Sequence, residues 1–189
     1  MDIQWYPGHM VKTKRMIKEH LKLIDVVLEL VDARAPLSTK LPDINSLVGS
    51  REIITVLNKA DLADREVTEA WIKAFKEQGI RAVAVDSLRK SGFKQLFALI
   101  NSTKKRTLLK AKRCMIVGIP NVGKSSLMNQ LAGRKSAKTG DIPGVTRNKM
   151  WLKVSDNLEL LDTPGILWPK FEDKSVGLKL AVLGSIKEE

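Results

Sequence analysis

The chain is poor in the residues that mark secreted or metal-scaffolded proteins. Its single cysteine, Cys114, excludes an internal disulfide framework and a thiolate-based metal cluster, and its place in the apolar run CMIVG reads as a small buried side chain. That usage fits a reducing compartment. The N-terminus opens on Met1 and Asp2 without the apolar core of a signal peptide, and no uncharged stretch reaches the length needed to cross a bilayer. A cytoplasmic protein with no membrane partner is expected. Internal repeats and low-complexity tracts are absent too.

Acidic residues are the other shortfall. Twenty-one Asp and Glu face 33 Lys and Arg, a net charge of +12, which points to a polyanionic partner and to nucleic acid over a membrane surface. The excess gathers in Lys12 to Lys22, Lys104 to Arg113 and Arg134 to Lys153, which either contact phosphates or form solvated helix faces. What remains is an ordinary globular composition: 189 residues at 43% hydrophobic content suffice for one α/β domain with a sizeable core.

Hydrophobic spacing divides the chain into alternating elements. Residues 9–23 form a basic amphipathic helix with Met10, Ile17, Leu21 and Ile24 on one stripe. Ile24 to Arg34 and Arg51 to Asp61 are short runs rich in β-branched residues that end in polar turns, as buried parallel strands do. Asp64 caps a helix bearing Val67, Ala70, Trp71, Ala74 and Phe75, which Gly79 closes. Arg81 to Ser87 is a third strand, and Ser91 caps a helix with Phe93, Leu96, Phe97 and Ile100 inward. Residues 101–113, with six basic and no acidic residues, read as a joint. Beyond it come a strand over 113–117, a glycine-rich loop, a helix from Lys124 to Ala132, a hairpin turning at Asp156 and Asn157, and a helical segment with Val176, Leu180 and Leu183. Strands alternating with helices give a mostly parallel six-stranded sheet of the P-loop, Ras-like type, with its ligand beyond the carboxyl ends of the strands.

Three motifs fall at those ends. Gly118, Gly123, Lys124 and Ser125 match G-x-x-x-x-G-K-S/T between a strand and a helix. There the backbone of Asn121, Val122 and Gly123, with Ser126, would cradle phosphates at a helix N-terminus, Lys124 would reach the β- and γ-phosphates, and the Ser125 hydroxyl would bind Mg²⁺. Asn58, Lys59, Ala60 and Asp61 form N-K-x-D. The Asp61 carboxylate is an acceptor only, so it pairs with the imino and amino hydrogens of guanine and selects GTP and GDP over adenine nucleotides. Lys59 would lay its stem against the base or the phosphate loop, Asn58 would tie neighbouring loops, and Asp86 and Ser87 suit a second base-contacting loop. In DTPG, Asp162 would hold Mg²⁺ through water and Gly165 would donate to the γ-phosphate. Thr146 is the candidate switch threonine over Mg²⁺ and the γ-phosphate, with Thr139 as its competitor. Ile166 stands where Ras-like GTPases often carry a water-positioning glutamine, and its side chain cannot orient water.

The order of these motifs is unusual: the base reader precedes the phosphate loop, as in a circularly permuted chain. That order, with GIPNVGKSS, PGVTR, DTPGI and the opening WYPGHM (Trp5 to Met10), resembles the ribosome biogenesis GTPase A family over essentially the whole chain. The resemblance implies a Ras-like fold, GTP hydrolysis stimulated by the large ribosomal subunit, and a role in late assembly of that particle through its ribosomal RNA. It implies that Ile166 replaces the catalytic glutamine, that His9 is the candidate water-activating residue, and that Asn121 matches the asparagine associated with K⁺-assisted hydrolysis. The second base loop departs from the relatives, with Ser87-Leu88-Arg89 where Ser-Ala-Lys is frequent. A permuted GTPase domain over 1–170 is expected, with 171–189 as the start of a helical C-terminal extension, in a protein acting as a monomer. Two other readings stay open: a GTP-sensing module with negligible hydrolysis, and a GTPase acting on a different structured RNA.

Overall fold

The computed structural model describes residues 7–133, 151–166 and 174–185. The chain runs through α1 (Pro7–His20), β1 (Val26–Asp32), α2 (Pro36–Thr39), α3 (Ile44–Val48), β2 (Glu52–Asn58), α4 (Arg65–Glu77), β3 (Arg81–Ala84), α5 (Phe93–Ser102), β4 (Lys112–Gly118), α6 (Lys124–Ala132), β5 (Trp151–Ser155), β6 (Leu158–Asp162) and α7 (Lys174–Val182). The strands form one six-stranded sheet in the order β3-β2-β1-β4-β6-β5, parallel throughout except for the β5–β6 hairpin.

β1 lies at the centre, between β2 and β4. All its residues are buried, and because side chains alternate along a strand, both faces of the sheet are covered there. Burial on both sides requires every polar group on the strand to be matched. Glu29 accepts from the Leu41 amide at 2.9 Å and the Thr55 hydroxyl at 3.2 Å, and is ion-paired with Lys40. Asp25, just before the strand, accepts from the amides of Arg106, Thr107 and Arg113 at 2.6, 2.7 and 2.9 Å and from the Thr107 hydroxyl at 3.0 Å. One carboxylate thus fastens the basic joint between α5 and β4. Part of the joint's charge is committed as well: the Lys112 ammonium donates to the carbonyls of Ile100 and Thr103, and Arg113 pairs with Glu159 at 2.7 Å while stacking on Trp151. Lys104, Lys105, Arg106 and Lys110 face solvent.

Several expectations are corrected. The inward face of α4 centres on the buried Thr68 and Phe75, with Trp71, Ile72 and Ala74 half-buried, whereas Ala70 is exposed and Val67 is 54% exposed; turning Ile72 inward in place of Ala70 buries more apolar surface. Asp64 does cap this helix, accepting from the Val67 amide at 2.9 Å. Ser91 is not the cap of α5. That position is Gly92, at φ +80°, where a Cβ would lie 2.1 Å from the Ala84 carbonyl oxygen, so only glycine lets the chain enter the helix so close to β3. The Ser91 carbonyl instead accepts from the Asp86 amide at 3.1 Å. α1 ends at His20, and a 3₁₀ turn over Leu21–Leu23 leads to the buried Ile24. The short helices α2 and α3 were not anticipated.

Asp25 supplies a test of the joint. Burial alone would raise its pKa, but the three backbone amides and the Thr107 hydroxyl outweigh that and hold it below the ordinary 3.8. A depressed carboxylate stabilises the fold above its unfolded pKa and loses that contribution as pH falls through the folded value. Asp25→Asn should therefore cost about 2–3 kcal/mol in urea unfolding near pH 7, and the gap from wild type should narrow as pH falls below the ordinary 3.8 and through the lower folded pKa.

Candidate nucleotide site

The phosphate loop, base loop and DTPG segment meet at the carboxyl ends of β4, β2 and β6. β4 becomes fully buried from Cys114 to Gly118 and presses against β1: a Cβ on Gly118 would lie 2.7 Å from the Leu30 carbonyl oxygen. Beyond it, Asn121 (φ +61°) and Gly123 (φ +95°) take left-handed conformations, which curl the loop into the N-terminus of α6. Amides at such a turn, aided by the helix dipole, form a ready site for an anion. Lys124 folds back over the loop, donating to the carbonyls of Gly118 and Ile119 at 3.2 and 2.9 Å. Burial pushes its pKa down to about 8, and the nearby Asp162 only partly offsets this. Ser125 is exposed on the first turn of α6, beside the half-buried Ser126.

The base-type loop is clamped onto this phosphate loop by side chains. Asn58 donates from Nδ2 to the Val122 carbonyl at 2.9 Å and accepts at Oδ1 from the Ser87 hydroxyl at 2.7 Å, so one buried amide joins three loops. The clamp passes so close to Gly123 that a Cβ there would fall 2.3 Å from Asn58 Nδ2. Lys59, at φ +58°, donates to the Asn121 carbonyl at 2.7 Å and pairs with Asp32 at 3.1 Å. The Ala60 amide donates to the Val85 carbonyl at 3.1 Å, and Asp61 stands exposed in the following turn. Asp86 is turned into its own loop, accepting from the amides of Leu88 and Arg89 at 2.8 and 3.0 Å. Its partner in the sequence reading, Ser87, holds Asn58.

Asp162 ends β6 with its Oδ1 buried and without a hydrogen-bond partner. Burial raises its pKa, with Lys124 acting in the opposite direction. A buried carboxylate oxygen left unmatched suits a cation, and the exposed Ser125 hydroxyl adds a second oxygen, so these residues fit Mg²⁺, which keeps several waters and needs few protein ligands. Thr163 anchors the segment through its hydroxyl to the Ile116 carbonyl at 2.7 Å. Gly165 packs on Pro120, whose Cγ would be 2.9 Å from an added Cβ. The Ile166 amide donates to the Gly118 carbonyl at 3.0 Å, and its side chain, 3% exposed, belongs to the core. Asn121 also donates from Nδ2 to the Gly184 carbonyl, just past α7. Thr146 and Thr139 lie outside the described residues. His9 falls within α1, and its side chain is likewise outside the description.

Sequence reasoning missed Asp32. It is 1% exposed and bidentate to Arg34, whose Nε and Nη2 donate at 2.9 and 2.7 Å. The one available signal was a second acidic residue, after Glu29, in a mostly apolar strand.

A lysine-bearing phosphate loop opening a helix, an N-K-x-D loop clamped to it and an aspartate at the neighbouring strand end, all on a mostly parallel sheet, define a P-loop GTPase domain in permuted order. Residues 113–188 match the family described as 50S ribosome-binding GTPase. Ribosome biogenesis GTPase A of Priestia megaterium is 53% identical over the whole chain and 69% of its own length. The Thermotoga maritima protein of the same name is 36% identical over 99% of the chain and 68% of its own length. A crystal structure of GNP-bound YlqF from T. maritima superposes with a TM-score of 0.69 at 32% identity, covering 93% of this chain and 66% of that one. The chain belongs to the ribosome biogenesis GTPase A family, and it spans about two thirds of the length of these relatives.

The lowered pKa of Lys124 predicts a proton linkage. Above about pH 8 the free protein carries this lysine largely neutral, and a bound triphosphate restores its charge. Calorimetric titration with a non-hydrolysable GTP analogue near pH 9, in buffers of different ionisation enthalpy, should show net proton uptake that vanishes near about pH 7.

Proposed function

We propose that the chain is a GTP-driven switch that binds the assembling large ribosomal subunit through its ribosomal RNA, and that hydrolysis releases it. The observation that carries this reading is the Asn58 clamp, which holds an N-K-x-D loop against the phosphate loop at 2.9 Å. Two such loops held side by side suit a ligand with a base at one end and phosphates at the other.

In this reading Asp61 accepts from the two guanine hydrogens, Lys59 offers its stem to the base, and Lys124 with the amides of the 121–126 turn holds the β- and γ-phosphates. Ser125 and Asp162 hold Mg²⁺, which when bound neutralises charge developing on the phosphates. Thr146 closes over the γ-phosphate, Gly165 donates to it, and Asn121 is the candidate K⁺ contact. Ile166 has no group for water and is buried, so the attacking water is oriented from elsewhere, with His9 as the candidate. The basic residues of α1 and the exposed lysines of the 104–110 stretch supply RNA phosphate contacts. No described helix is long and apolar enough to cross a membrane, and we assign the protein to the cytoplasm as a monomer.

GTP turnover with and without purified large subunits tests the proposal. Strong stimulation is expected, while indifference favours a sensing module with negligible hydrolysis. Association should be tighter with a non-hydrolysable GTP analogue than with GDP and should fall steeply with salt, as counterion release requires. For base choice, Asp61→Asn should move preference from GTP to xanthosine triphosphate in competition binding, because the new amide offers a donor where the base presents one in guanine and an acceptor in xanthine.

A further inference from the structure

We infer that Asp32 is a positioning residue of the base pocket, acting through Lys59. It holds the lysine ammonium from beneath so that the aliphatic stem is fixed as a platform for the purine. The inference rests on the base-loop reading above and adds a residue from a different strand to it.

Asp32 closes β1, and its register partner across the parallel ladder is Asn58, the first residue of the base loop. That pairing brings the carboxylate beneath Lys59, the next residue along. The Lys59 ammonium then has two recorded partners on different segments: Asp32 Oδ2 at 3.1 Å and the Asn121 carbonyl of the phosphate loop at 2.7 Å. With both ends of the side chain held, a flexible four-carbon stem loses the rotamer freedom it would otherwise forfeit on binding nucleotide.

Asp32 is in turn over-determined. Its Oδ1 accepts from the Arg34 amide at 3.0 Å and from Arg34 Nε at 2.9 Å, and its Oδ2 accepts from Arg34 Nη2 at 2.7 Å. Its own amide donates to the Thr39 hydroxyl at 2.9 Å, and that hydroxyl donates to the Ala35 carbonyl at 2.9 Å. Burial would favour the neutral acid, but the Arg34 and Lys59 donors outweigh it and hold the pKa below the ordinary range, so the group is anionic wherever the protein is folded near neutrality. A buried carboxylate bound to two cations is a rigid anchor, since losing either contact leaves charge unmatched. Its geometry is accounted for by what it does to Arg34 and Lys59.

A double-mutant cycle on GDP affinity tests this. Asp32→Asn keeps the volume and removes the charge; Lys59→Met keeps the apolar stem and removes the ammonium. Each single variant should bind GDP about tenfold more weakly, and the double variant no more weakly than the poorer single, because both remove the same interaction. The factor for Asp32→Asn should be the same with GDP and with the GTP analogue, since the platform faces the base and not the γ-phosphate. If Asp32→Asn does not fold, as thermal unfolding will show, Asp32→Glu retains the charge but displaces it, and its smaller loss should also vanish in the Lys59→Met background. Wild-type affinity in the Asp32 variant, or losses that multiply in the double variant, overturns the inference. Asp61→Asn measured alongside separates the failures: retained guanine preference in that variant overturns the base-loop reading and this inference with it. A shift to xanthosine triphosphate together with multiplying losses overturns this inference alone.

Discussion

The parallel pairing of β1 with β4 is the contact on which the rest of the molecule depends. It joins the two halves of a permuted chain, placing Val26 opposite Cys114 and Leu30 opposite Gly118, and so sets the half that carries N-K-x-D against the half that carries the glycine-rich loop. A strand in that position is dry on both faces, which should discourage acidic residues, yet the segment carries Asp25, Glu29 and Asp32, all essentially inaccessible to solvent. Each is matched by donors from other segments: Asp25 by the joint at 106–113, Glu29 by Lys40 and Leu41 beyond α2 and by Thr55 of β2, and Asp32 by Arg34 and Lys59. Burial makes an unmatched carboxylate costly, so these segments are held in place by the strand's own need for partners.

The same desolvation shapes the chemistry at the end of β4. Lys124 and Asp162 are both buried enough to be pushed toward their neutral forms, one downward and one upward, and each is the principal charge favouring ionisation of the other. Neither is satisfied by the protein alone, since Lys124 rests on two carbonyls and Asp162 leaves Oδ1 without a partner. A lysine short of negative charge beside a carboxylate short of positive charge is an arrangement suited to a magnesium-bound triphosphate.

Much of this was legible in the sequence, and the limits have physical causes. The six strands, the three motifs at the ends of β2, β4 and β6 and the Asp64 cap follow from apolar runs, turn chemistry and a capping residue, all of which are local. What was not legible depends on distant partners or short elements. Helices α2 and α3 span four and five residues, less than the two turns over which a 3.6-residue period can be recognised. Ser91 looked like a cap because Ser is a good one, but the approach of residue 92 to the Ala84 carbonyl selects glycine at that position. Lys112 and Arg113 read as free charge because their acceptors, the 100–103 carbonyls and Glu159, are supplied by other segments. Asp32 was missed for the same reason: Lys59 is its neighbour only once β1 and β2 are in register.

Asn121 gathers these constraints into one residue. Its left-handed backbone shapes the phosphate loop, its carbonyl receives the Lys59 ammonium, and its side-chain amide reaches the Gly184 carbonyl beyond α7. α7 is seated by Leu180 and by Ser185 just past its end, both buried, with Val176 and Ala181 packed against the core. The last described segment of the chain is therefore hydrogen-bonded to the phosphate loop that also receives Lys59. In an unpermuted order that loop would begin the domain and the base reader would come near its end. Here the permutation places the DTPG segment and α7 after both, and the Asn121 amide ties this final segment back to the phosphate loop.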